Sequence, residues 1–145
     1  MKHAGRLLAR REYSVGELRR KLETKWPGAD EIDAAIDQLL DEGLLSDRRF
    51  AAAFTRSRTA RFQGPRKIRA ELSGRSVAEA DIDAALQEVG RSWTDLASEW
   101  LARQRVDASD YDSRAKYYRR LVNRGFTHDQ AMDALSGRDT EPEGV

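Results

Sequence analysis

The apolar positions of this chain fall at intervals of three and four, the period of a helix with one buried face. Val15, Leu18 and Leu22 form one such stripe, and Ile32, Ile36, Leu39 and Leu40 form the next. Ile32-Asp33-Ala34-Ala35 returns fifty positions later as Ile82-Asp83-Ala84-Ala85. The same offset places Leu18 on Ile68, Leu22 on Leu72, Ile36 on Leu86 and Leu39 on Val89. A weaker third copy follows at an offset of forty-nine, with Tyr117 under Ile68, Leu121 under Leu72, Ala131 under Ile82 and Leu135 under Leu86. A constant offset across two separate helical stripes is the signature of a repeat.

Each copy reads as three helices. In the first copy, one helix starts near Lys2 and a second at Ser14. A third runs from about Asp30 to Glu42, with Ile32, Ile36, Leu39 and Leu40 turned inward. Ser14-Val15-Gly16-Glu17 and Thr127-His128-Asp129-Gln130 have the spacing of capping boxes, in which the first side chain accepts the N3 amide and the fourth accepts the cap amide. Ser46 is a natural N-cap for the helix carrying Phe50, Ala53 and Phe54, and Pro65 suits the first position of the next helix. Pro27-Gly28, Gly43, Gly90, Gly125 and Gly137 supply the stops. No period-2 run of β-branched residues predicts a strand. The expected fold is all-α, an elongated array of three tandem three-helix repeats at 1–45, 46–91 and 92–137, followed by a polar, disordered tail over 138–145.

Composition narrows the functional classes. The chain has 145 residues, 39% hydrophobic and 35% charged, with no cysteine, which excludes disulfides and thiolate metal sites. No apolar stretch approaches the roughly 20 residues of a membrane span, and the N-terminus lacks a secretory signal, so a cytoplasmic monomer without a membrane partner is expected. Catalysis needs a positioned base, nucleophile or metal. His3 and His128 have no partner at ligand spacing, and Gly64-Pro65-Arg66-Lys67 lacks the spaced glycines of a phosphate loop. The expectation is therefore a binding protein, not an enzyme, with no catalytic residue, no metal and no cofactor.

Charge supplies the candidate site. Residues 1–75 hold 17 Lys+Arg against 11 Asp+Glu, whereas residues 76–145 hold 9 against 14. Within each copy the middle helix is basic and the last is acidic. Equivalent helices of stacked repeats line up along one side, so a basic stripe is expected. Its candidate contacts are Arg19, Arg20 and Lys25, then Arg58, Arg61, Arg66, Lys67 and Arg69, then Arg119, Arg120 and Arg124. The same charges also suit a plainer role, in which basic and acidic helices of one repeat neutralise each other. Trp26, Phe62, Tyr117 and Tyr118 fit core or staple positions better than base-stacking ones.

Several ordered segments carry a resemblance. They are Leu7-Leu8-Ala9-Arg10-Arg11-Glu12-Tyr13-Ser14 with Glu17-Leu18-Arg19-Arg20-Lys21-Leu22, then Gly43-Leu44-Leu45-Ser46-Asp47-Arg48-Arg49-Phe50-Ala51. Arg56-Ser57-Arg58 leads on to Gly64-Pro65-Arg66-Lys67-Ile68-Arg69-Ala70-Glu71-Leu72, and Arg124-Gly125-Phe126 follows in the third copy. From about Ala4 to Leu135 the chain resembles the RecX family of recombinase regulators. It departs from the family pattern in having Gly74-Arg75 where Lys-Gly is usual, and Trp26-Pro27-Gly28 in place of a simpler turn. The resemblance implies a protein that lies in the groove of the RecA–single-stranded-DNA filament and restrains its ATPase, strand-exchange and co-protease activities. That would place it in DNA repair, recombination and the SOS response, with at most weak direct contact with DNA. The alternative is a direct DNA-binding protein of helix-turn-helix type. An Asn/Gln/Arg reading head at one helix N-terminus, which that reading would need, does not stand out.

Overall fold

The computed structural model describes residues 2–106 and 109–137, and the expected disordered tail lies outside them. Among the described residues there are nine α-helices and no strand. They are α1 (Lys2–Arg10), α2 (Val15–Lys25), α3 (Glu31–Asp41), α4 (Asp47–Thr59), α5 (Pro65–Gly74), α6 (Glu79–Gln87), α7 (Trp93–Gln104), α8 (Tyr111–Asn123) and α9 (His128–Gly137).

The helix ends follow local chemistry. Ser14 Oγ accepts the Glu17 amide at 3.0 Å, and Glu17 Oε1 accepts the Ser14 amide at 3.3 Å. Thr127 and Gln130 make the same reciprocal pair at 3.1 and 3.0 Å. Ser46 Oγ caps α4 through the Arg49 amide. Each such cap is worth about 1 kcal/mol. Two further caps, Ser92 on α7 and Asp110 on α8, complete the set, whereas Asp30 has helical backbone angles and its side chain caps nothing. Gly28, Gly43, Gly90 and Gly125 all have positive φ, the left-handed conformation that closes a helix without steric cost.

Packing divides the chain into two compact units, one formed by Met1–Thr55 and Glu71–Glu88, the other by Arg56–Ala70 and Val89–Val145. In the first unit, α2 packs on α3. Leu18, Leu22, Ile32, Ile36 and Leu39 form a core with Ala4, Tyr13 and Leu45, covered by Leu7, Val15 and Trp26. Burying each large aliphatic side chain contributes about 1.5–3 kcal/mol. Leu40 corrects the sequence reading: it is 41% exposed. One residue past Leu39 the helix has turned about 100°, which carries the side chain off the core face. Phe50, Ala51, Leu72, Val77, Ile82 and Ala85 are also buried in this unit.

The N-terminus of α2 is fastened to residues distant in sequence. Asp47 Oδ1 accepts the Val15 amide at 2.8 Å, Ser14 Oγ donates to the Arg75 carbonyl, and Arg75 pairs with Glu17 while its guanidinium lies 4.8 Å from the Phe54 ring centre. Burial raises the Asp47 pKa, the Val15 amide partly opposes that, and the nearby Asp81 and Glu17 charges add to the rise. A carboxyl whose folded pKa is raised favours the folded state below its unfolded pKa, near 4, and that contribution is lost as pH climbs through the folded value. Asp47→Asn should therefore gain stability relative to the parent as pH rises from about 4. Urea midpoints measured at successive pH values check this, and a constant difference would contradict it.

In the second unit, α9 packs on both α7 and α8. Leu96, Ala97, Trp100 and Leu101 meet Leu121, Phe126, Ala131, Ala134 and Leu135, with Val106 at the edge and Phe62, Trp93, Tyr117, Tyr118 and Val122 packed against them.

Candidate functional site

The eleven candidate basic residues divide unevenly. Arg19, Arg20 and Lys25 belong to the first unit, and the other eight to the second. Arg19 is ion-paired with Asp33 of α3, the internal neutralisation that the charge pattern also allowed. Arg20 and Lys25 are exposed, and the Lys25 ammonium stands 5.3 Å from the Trp26 ring centre. This unit holds 11 Lys+Arg against 15 Asp+Glu.

The second unit has the opposite balance. Residues 56–70 and 89–145 contain 15 Lys+Arg against 10 Asp+Glu. Residues 56–70 have no acidic side chain at all. The basic half of the sequence is thus not the basic unit of the fold, because packing joins Arg56–Ala70 to the segment that starts at Val89.

Two glycines make that junction. The Gly64 amide donates to the Arg124 carbonyl at 2.7 Å, and the Arg66 amide donates to the Gly125 carbonyl at 2.9 Å. The backbones are so close that a Cβ on Gly64 would lie 2.4 Å from the Phe126 nitrogen, and one on Gly125 would lie 2.4 Å from Lys67 Cβ. The carbonyls just past the end of α8 therefore satisfy amides at the start of α5. The negative end of one helix meets the positive end of the other, a favourable arrangement of dipoles.

Arg124 holds the same junction from its side chain. Its Nη1 donates to the Arg61 carbonyl at 2.9 Å and to the Phe62 carbonyl at 3.4 Å, and its guanidinium lies 4.7 Å from the Trp100 ring centre. Burial lowers its pKa. Arg124 is therefore committed to holding the turn over Arg61 and Phe62, where Phe62 has positive φ. Arg61, Arg66, Lys67, Arg119 and Arg120 are exposed, while Arg58 and Arg69 are half-buried and engaged by neighbours. The Arg120 guanidinium and the Lys116 ammonium lie 5.2 and 5.6 Å from the Tyr117 ring centre, and Arg103 lies 4.8 Å from that of Phe62. Trp26, Phe62, Tyr117 and Tyr118 are all half-buried against their cores, as their spacing suggested.

Arg66 and Lys67 occupy the first turn of α5, directly after Pro65, and that turn contains no acidic residue. Cations at the positive end of a helix dipole are locally unfavourable, by about 0.3–1 kcal/mol each. α2 and α8 show the favourable arrangement, with Glu17 and Asp112 in their first turns and Lys25 and Arg120 in their last, whereas α4 carries Arg48 and Arg49 in its first turn beside Asp47, and α3 ends on Asp41. The basic middle helices are alike in composition, so the sequence pattern does not single out this turn.

Among the described residues no three His, Cys, Asp or Glu side chains are grouped so as to hold a metal ion. His128 Nδ1 is hydrogen-bonded to the Tyr118 hydroxyl at 2.7 Å, and His3 lies edge-on to Trp26. Among the described residues no helix is long and apolar enough to cross a membrane.

Comparison with known proteins agrees with the three-helix architecture. Family models for the first and second three-helix domains of RecX match residues 3–39 and 46–86. The chain is 45% identical over 133 residues to a protein of Chromohalobacter salexigens named Regulatory protein RecX, covering 90% of this chain and 87% of that one. A Pseudomonas fluorescens protein of the same name is 42% identical over 137 residues, covering 93% and 88%. The crystal structure of RecX from Lactobacillus salivarius superposes with a TM-score of 0.80 at 21% identity, covering 95% of this chain and 93% of that one. These relatives are named as regulators and no enzyme family is indicated. The chain belongs to the RecX family of regulatory proteins.

Proposed function

We propose that this chain regulates the RecA recombinase by binding its filament on single-stranded DNA, chiefly to restrain ATP hydrolysis, strand exchange and co-protease activity. The family name supports the partner. The observation that carries the mode of binding is the placement of Arg66 and Lys67. Two exposed cations stand in the first turn of α5, where they oppose the helix dipole, in a unit with 15 basic against 10 acidic residues. Such an arrangement costs local stability, so its use lies in an external anion. In a nucleoprotein filament, phosphates and acidic protein surface both meet that description. Arg58, Arg61, Arg69, Arg119 and Arg120 extend the positive field, and Arg20 and Lys25 are its counterparts in the first repeat. Several weak contacts on one body act together, and a monomer bridging neighbouring recombinase subunits would obstruct their rearrangement. In this reading the three repeats at 1–45, 46–91 and 92–137 are copies of one template, acting in the cytoplasm.

The test is a titration of recombinase-filament ATPase with the parent chain and with Arg66→Glu/Lys67→Glu. Glutamate in a first helical turn favours the dipole, so the double variant should melt no lower than the parent and up to about 1 kcal/mol more stable. It should also need at least about tenfold more protein for half-inhibition, and the parent's inhibition should weaken as salt rises. A helical, stable variant that inhibits as well as the parent would remove these residues from the interface. A parent chain without effect on the ATPase would remove the function.

A further inference from the structure

The second unit carries a feature unrelated to the basic turn of α5. Tyr111, Arg114, Ala115, Tyr118 and Arg119 lie on α8 at i, i+3, i+4, i+7 and i+8, a single helical face. With Met132 and Leu135 of α9 they line an open groove of about 380 Å³. Its floor is apolar, and two of its large apolar side chains are left in solvent: Tyr111 is 81% exposed and Met132 39%. Leu135 is buried and belongs to the core below, so one side of the groove is firm. Tyr118 is also fixed, because its hydroxyl is hydrogen-bonded to His128 of α9 at 2.7 Å. Arg114 and Arg119 are the charged residues of the lining, and both are cationic.

We propose that this groove docks an acidic segment of a protein partner, one that inserts an aliphatic side chain over Met132 and Ala115 and sets a carboxylate against the exposed Arg119, with the half-buried Arg114 adding positive field. The aliphatic part of the floor, Met132, Ala115 and Leu135, favours a side-chain anchor over a nucleic acid, whose phosphates would use the arginines and whose bases would stack only on the tyrosines. Charge complementarity decides against a basic or neutral peptide. Guanidinium forks recognise carboxylates in a defined geometry, and a small apolar pocket ringed by polar groups is the usual form of an anchor site. The groove is lined by α8 and α9 alone; it shares Arg119 with the positive field proposed for the filament, so Met132→Glu is the variant that separates the two.

The test uses the full chain and two short fluorescent peptides of identical negative charge, one containing leucines spaced i, i+4 among glutamates and the other with serines in their place. Anisotropy should show the leucine peptide binding at least about tenfold tighter than the serine peptide. Met132→Glu and Arg119→Glu, both at exposed helical positions, should each weaken it at least about tenfold while the circular dichroism spectrum is unchanged. Equal binding of the two peptides would reduce the groove to a general basic surface and overturn the proposal. So would full competition by an equally charged single-stranded oligonucleotide, or unaltered binding by Met132→Glu. Sedimentation showing self-association that Met132→Glu abolishes would assign the groove to a second copy instead. If filament ATPase inhibition survives while peptide binding fails, this inference alone falls.

Discussion

Replacing Gly64 with alanine is expected to destabilise the second unit by about 3 kcal/mol or more, the range reserved for backbone clashes without an exit. The added methyl would sit 2.4 Å from both the Gly125 carbonyl carbon and the Phe126 nitrogen. Both are backbone atoms of a turn whose carbonyls receive the Gly64 and Arg66 amides, so relief means breaking those hydrogen bonds. Gly125→Ala should be worse. Its Cβ would lie 2.4 Å from Lys67 Cβ and 2.7 Å from the Lys67 nitrogen, and its φ of +102° is strained for any L side chain. Gly5→Ala is the control: it lies within α1, nothing stands within 4 Å of the new methyl, and helix propensity predicts a gain of up to about 1 kcal/mol. Urea unfolding followed by circular dichroism separates the three. A Gly64→Ala protein as stable as the parent would mean that the α5 junction is looser than described, and would weaken the case for Arg66 and Lys67 as a held pair.

That junction also marks where the sequence stopped being informative. Burial at a fixed helical phase leaves its trace in residue spacing, so the offset of fifty identified Leu18 with Ile68 and Leu22 with Leu72, and all four are fully buried. Caps are equally local: Ser14 with Glu17 and Thr127 with Gln130 are decided within four residues. Ser92-Trp93-Thr94-Asp95 carries a similar local signal, and Ser92 does cap α7. Leu40 was misplaced because two adjacent leucines satisfy an apolar stripe equally well, and only the packing partner distinguishes them. The approach of Gly64 to Gly125 has no such trace. Each glycine read alone is a turn or a stop, and nothing in composition pairs residues sixty-one positions apart. The candidate site shares this limit. Counting charges by sequence halves put the positive excess at the front of the chain, whereas packing gathers it into the unit made of Arg56–Ala70 and Val89–Val145. Side-chain partners were likewise invisible: Arg19 spends its charge on Asp33, and Arg124 turns inward.

Arg124 provides the second large effect, and it separates a clamp from a contact. Arg124→Ala removes a cationic donor from the Arg61 and Phe62 carbonyls and uncovers the face of Trp100, so a loss of about 2–3 kcal/mol is expected. Arg124→Lys keeps the charge but not the planar fork that reaches a carbonyl while lying over the indole, and should recover less than half of that loss. Thermal or urea midpoints give both values. The same Lys variant, assayed well below its unfolding midpoint, should inhibit the recombinase filament as the parent does, because Arg124 acts by fixing the turn between α4 and α5 and through it the start of α5. Arg66→Glu/Lys67→Glu is expected to do the reverse, holding or raising stability while losing inhibition. The two variants therefore move stability and function in opposite directions. An Arg124→Lys protein as stable as the parent but unable to inhibit would return Arg124 to the contact surface and leave the turn held by its two glycines alone.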